Sequence, residues 1–145
     1  MISKDQLINI LITTALCITL LVGILHFFII DMFKWFSYIP DAPKIVLVSI
    51  QWTNFFLSAL ITVYSLFLLY YKKQLMKKNK ILLNAYFLFM FTWFLHLPVT
   101  ILLPHTGNFD KSFVYEITGF TVIFILFLIP YILLLSNKQK PISKS

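Results

Sequence analysis

Six residues of this chain carry side chains that could hold or polarise a small molecule while standing in apolar surroundings: His26, Gln51, Asn54, Trp93, His96 and Glu116. An imidazole donates, accepts or ligates, an amide does the first two, and a carboxylate accepts or titrates. His96 stands in FLHLPVTILLPH, residues 94–105, two positions before Pro98, and His105 closes the stretch. Several chemistries would use such residues. Two histidines at similar depth on two helices supply both axial ligands of a b-type haem. His26, His96 and Glu116 would hold a divalent metal. His96 with Glu116, or His26 with Asp31, would serve as an acid–base pair acting on a lipid or sterol. None of these is accompanied by a spacing motif such as HExxH or GxSxG, and with 3 glycines the chain has no glycine-rich phosphate loop. The lone Cys17 excludes an intramolecular disulfide and a cysteine-based zinc site. No particular cofactor is specified.

Two simpler uses remain. The polar residues could hold the head of an amphipathic or apolar ligand near His26, His96 and Gln51, with Trp52, Trp93, Phe27 and Phe94 as an aromatic wall. They could equally bond neighbouring helices to each other, each such bond contributing about 0.6–2 kcal/mol. Ionisable residues inside a membrane point to function by default, which favours the first use.

These residues must be positioned by membrane-spanning helices. The 145-residue chain is 60% hydrophobic and 12% charged, about half the charged fraction of ordinary soluble domains. Four apolar segments, at about 7–30, 45–71, 81–103 and 117–135, each reach the roughly 20 residues that a helix needs to cross the hydrocarbon core. The first is too long for the apolar core of a signal peptide and has no small-x-small cleavage site. The connections are short, so the expected fold is an all-α integral membrane protein. It is a single domain of four transmembrane helices in an up-down antiparallel bundle.

Charge orients the bundle. All 12 basic residues are lysines, and the net charge is +7. Lys4, the lysines of KKQLMKKNK (72–80), Lys138, Lys140 and Lys144 make nine on one side, against Lys34, Lys44 and Lys111 on the other. The positive-inside rule then puts both termini and the 72–80 connection in the cytoplasm, in a plasma or inner membrane rather than an endomembrane. Lysines distributed this way report topology rather than nucleic-acid binding, and the 72–80 run could also meet anionic lipid headgroups. The partners expected are the bilayer, a small hydrophobic ligand, and a second copy or a partner membrane subunit.

Each span carries a stripe of small or polar residues, which in lipid marks the contact face. Gln51, Asn54, Ser58, Thr62 and Ser65 recur at 3, 4, 4 and 3 on the second span. Ala15, Thr19, Gly23 and His26 do so on the first, Thr92, His96 and Thr100 on the third, and Glu116 with Gly119 on the fourth. At a rise of 1.5 Å per residue, His26 lies ~6 Å and His96 ~10 Å below the outer ends of their spans, with Gln51 and Asn54 at ~9–14 Å. All belong to the outer half. Pro98 removes the bond to the Phe94 carbonyl and opens room beside His96, and Pro130 does the same to Leu126 in the inner half.

Four spans with both ends inside, a first helix carrying His26 and Asp31 outward, and LIPYILLL (128–135) resemble the emopamil-binding and sigma-2 receptor type of membrane protein. The resemblance implies the four-span topology alone. Where that family has paired acidic residues, the second span here has Gln51 and Asn54, so no activity or site residue is transferred. The reading that emerges is a binding or accessory membrane protein with a polar cavity in the outer half. A lipid- or sterol-modifying enzyme and a haem- or metal-binding subunit remain as alternatives.

The lysine distribution makes a direct prediction. Single cysteines at Asn79, Asn108 and Ser145 in a Cys17→Ala background are treated on intact cells with an impermeant thiol reagent. Asn108→Cys should react and the other two only after lysis; labelling at position 79 on intact cells would reverse the topology.

Overall fold

The computed structural model describes residues 2–102 and 111–136. Among these all the regular structure is helical: α1 (Lys4–His26), α2 (Ile29–Met32), a 3₁₀ turn (Trp35–Tyr38), α3 (Lys44–Tyr70), α4 (Lys72–Met76), α5 (Lys80–Leu102) and α6 (Lys111–Ser136). Four of them, α1, α3, α5 and residues Phe113–Ser136 of α6, are long and apolar enough to cross a membrane. That is the architecture of a small multi-pass membrane protein. His105, Lys138, Lys140, Lys144 and the end of the third expected span lie outside the described residues.

Two helix ends differ from the apolar extents read from the sequence. The first span ends at His26 rather than Ile30, because Phe27 and Phe28 donate to the carbonyls of Ile24 and Leu25, three residues back, at 3.3 and 3.0 Å. The turn tightens there even though the sequence stays apolar. The fourth helix begins at Lys111, six residues before Ile117, so Glu116 lies within α6 rather than at its mouth.

The chain divides into two compact units. One comprises residues 16–71, the other 1–15 and 72–145, and α1 contributes to both. In the first unit α1 and α3 run antiparallel, held by their stripes of small and polar residues. Ser65 Oγ donates to Thr19 Oγ1 at 3.1 Å, and Thr19 in turn donates to the Leu16 carbonyl at 3.1 Å. Ser58 Oγ satisfies itself on the Asn54 carbonyl at 2.6 Å, the back-bonding typical of hydroxyls within helices. Thr19, Gly23, Asn54, Ser58 and Ser65 are buried, whereas Val63 and Leu66 between them face outward. At Gly23 the helices come close: a Cβ added there would lie 2.7 Å from Thr62 Oγ1 and 2.9 Å from the Thr62 backbone nitrogen. Only glycine permits this approach, and close approach strengthens dispersion contacts that must substitute for the missing hydrophobic effect.

The other unit is built differently. α5 and α6 run antiparallel across an aromatic seam in which Tyr86 meets Phe127 and Phe89 meets Phe127, at ring-centroid separations of 5.1 and 5.5 Å. Tyr86 Oη donates to the Phe127 carbonyl at 3.3 Å, so its buried hydroxyl is satisfied across the helix pair. Both helices continue through their prolines, Pro98 and Pro130. The start of α1 belongs to this unit as well: Lys4 Nζ donates to Ser136 Oγ at 3.2 Å, which sets the first turn of α1 beside the last of α6.

Two glycine substitutions separate close packing from helix propensity. Gly23→Ala drives a methyl group into the Thr62 backbone and should lower stability by about 1–3 kcal/mol. Gly119 has nothing within 4 Å of an added Cβ, so Gly119→Ala should leave the melting temperature unchanged or raise it. Equal melting temperatures for the two variants in one detergent would contradict the close approach.

Candidate functional site

The six sequence-identified residues fall into two groups, and the unit division assigns three to each. His26, Gln51 and Asn54 belong to the α1–α3 unit. His26 is the last residue of α1, where the final carbonyls of a helix have no intrahelical partner. Asn54 Nδ2 donates to the His26 carbonyl at 2.9 Å. A carbonyl can only accept, so the amide orientation is dictated: the nitrogen must face His26. Asn54 therefore acts as a C-terminal cap delivered from a neighbouring helix. It bonds His26 through the backbone, a role that residue type alone would not disclose. Gln51, one turn earlier on α3, is exposed rather than lining the contact face with Asn54. The stripe on α3 thus begins at Asn54.

Trp93, His96 and Glu116 belong to the α5–α6 unit. His96 is half-buried and stacks on Trp93, with centroids 5.4 Å apart and ring planes at 30°. Phe120 of α6 closes the group at 5.0 Å from His96 and 6.1 Å from Trp93. His96 Nδ1 lies 2.9 Å from the Thr92 carbonyl. Because that oxygen can only accept, Nδ1 carries the proton, and in the neutral ring Nε2 presents its lone pair. Trp93 is 2% exposed, and its Nε1–H is buried without a hydrogen-bond partner. Buried indole N–H groups ordinarily have one. Glu116 is half-buried on α6 one helical turn before Phe120, on the same side of the helix.

The arrangement offers an unmet N–H donor, an imidazole nitrogen and an aromatic wall. Among the described residues, no three His, Cys, Asp or Glu side chains gather closely enough to hold one metal ion.

Phe120 and the Thr92 carbonyl were not evident from residue types. Phe120 is one of 16 phenylalanines, and a main-chain oxygen has no sequence signature. The i, i+4 spacing of Thr92 and His96 did place them on one face. A shallow open hollow of about 250 Å³ beside α2, lined by Ile30, Asp31, Lys34, Phe36 and Ser37, includes none of the six residues.

The Asn54 cap can be tested by itself. Asn54→Asp keeps the shape but turns an oxygen toward the His26 carbonyl, and should cost about 1–3 kcal/mol for the unmet acceptor. Thermal unfolding in detergent reads this, and an Asn54→Asp protein as stable as wild type would exclude the cap.

No family model matches this chain, and no curated protein or solved structure is similar to it.

Proposed function

We propose that this protein is a membrane binding or accessory protein that holds an amphipathic or apolar ligand at the Trp93–His96–Phe120 group. The observation that carries the reading is the buried Trp93 Nε1–H without a partner beside a half-buried imidazole. A donor kept out of water and unmet costs about 1–3 kcal/mol. A ligand carbonyl, ether or hydroxyl oxygen would recover that cost, while His96 Nε2 would accept from a ligand hydroxyl. Phe120 and the Trp93 face would receive the apolar body, and Glu116 would stand one turn from it.

His96 is sixteen residues from Lys80 along α5, about 24 Å at the helical rise. With the lysine-rich end in the cytoplasm, as the positive-inside rule directs, the group belongs to the outer half of the bilayer. As an accessory protein the chain works beside a second copy or another membrane subunit, and α3 has the most surface to offer. Only 11% of its apolar window is buried, against 33%, 28% and 22% for the other three.

The test uses protein purified in mild detergent and equilibrated with a total membrane lipid extract. Wild type, Trp93→Phe and His96→Gln are compared by native mass spectrometry, haem absorbance and metal content. Wild type should retain a small molecule that both variants lose, at melting temperatures within a few degrees of each other. A species retained equally by all three, or none retained by wild type, would overturn the reading.

A further inference from the structure

The opposite end of the α5–α6 unit carries a separate feature that the ligand reading does not use. Lys4, Lys72, Lys73, Lys77, Lys78 and Lys80 gather at the start of α1, along α4 and at the start of α5. Asp5 is the single carboxylate in these segments. Two bonds tie these segments into the unit: Lys4 Nζ to Ser136 Oγ at 3.2 Å, and Lys72 Nζ to Thr13 Oγ1 at 2.7 Å, about 13 Å further along α1 at the helical rise.

Lys72 differs from an ordinary surface lysine. It is half-buried, and Thr13 Oγ1 accepts its proton while donating its own to the Asn9 carbonyl at 2.7 Å. The ammonium is thus held at the end of a short hydrogen-bonded chain on α1, with its remaining N–H donors still available. Leu75, fully buried three residues later, fixes α4 in place. Lys73, next in sequence, is exposed and has no such anchor among the described residues.

We infer that this end is a binding surface for the phosphate of anionic phospholipids, with Lys72 as its positioned cation. Three features favour that occupant. Among the described residues of these segments, six lysines stand with a single carboxylate. The surface lies at the ends of membrane-spanning helices, where headgroups are. It also uses lysine, which meets phosphate as a point charge without arginine's geometric demands. Simple accumulation of charge would make Lys72 and Lys73 equivalent, whereas a built site makes them unequal.

The experiment is native mass spectrometry of the full chain in detergent, titrated with equimolar phosphatidylglycerol and phosphatidylcholine. Wild type should prefer phosphatidylglycerol. Lys72→Gln should reduce that preference about fivefold, the effect of one lysine near an anionic surface, and Lys72→Arg should restore most of it. Lys73→Gln should cost clearly less. Thr13→Val keeps every charge but frees the ammonium, and should fall between them. The absence of a preference in wild type, or equal losses for Lys72→Gln and Lys73→Gln, would overturn the inference.

Discussion

The last carbonyls of a helix have no intrahelical partner, and in the α1–α3 unit one of them is met from a second helix. The carbonyl of His26 is met by the side chain of Asn54. The bond joins the end of α1 to α3 and sets the level at which α3 passes it. The remaining contacts follow from it. With Asn54 opposite His26 and the helices antiparallel, Gly23 falls against Thr62 and Thr19 against Ser65. Lipid tails are as apolar as leucine, so these small and hydroxylated contacts, packed beside the buried Leu16, Ile61 and Leu68, hold the pair.

The α5–α6 unit solves the same problem with aromatic side chains. Tyr86, Phe89 and Phe127 fill the seam, and Tyr86 adds a hydrogen bond across it. Further along α5 the same aromatic packing takes in His96, which tethers its ring to the Thr92 carbonyl. Trp93 breaks the pattern. Its indole N–H is buried without a partner among the described residues, as is Thr62 Oγ1 in the other unit, but only the indole has an imidazole stacked beside it, which is why the functional reading centres there rather than on either histidine by itself.

Periodicity made the contact face legible on α1 and α3 but not on the later spans, where Thr92 and Gly119 of the expected stripes are exposed. Spacings of three and four identified Thr19, Gly23, Asn54, Ser58 and Ser65 as one side of their helices, and these are the buried positions. Hydropathy was a poorer guide to where helices stop. FFII after His26 is as apolar as what precedes it, so hydropathy does not reveal the tightened turn at Phe27 and Phe28 that ends α1. The start of α6 was missed for the converse reason: KSFVYE is too polar to count as a span, yet it is helical. Gln51 shows the limit of the stripe argument. It fits the spacing and is nevertheless exposed, because a stripe near the end of a helix extends past the neighbour it packs against. The site residues were legible as types, but the roles of His26, through its main chain, and Phe120, as one phenylalanine among many, were not.

The cap on α1 also bears on how the chain enters the bilayer. During synthesis α1 precedes α3, and the bond from Asn54 to its terminal carbonyl forms only once α3 arrives. α3 in turn brings Asn54, Ser58 and Ser65, polar groups that are costly to present to lipid singly. Each helix thus lowers the insertion barrier of the other, and the two are best released from the translocation machinery as a paired hairpin. On this view the residues between them, from α2 through the 3₁₀ turn to Pro43, serve assembly as a tether. It need only be long enough to let α3 turn back along α1 before either helix is left alone in lipid.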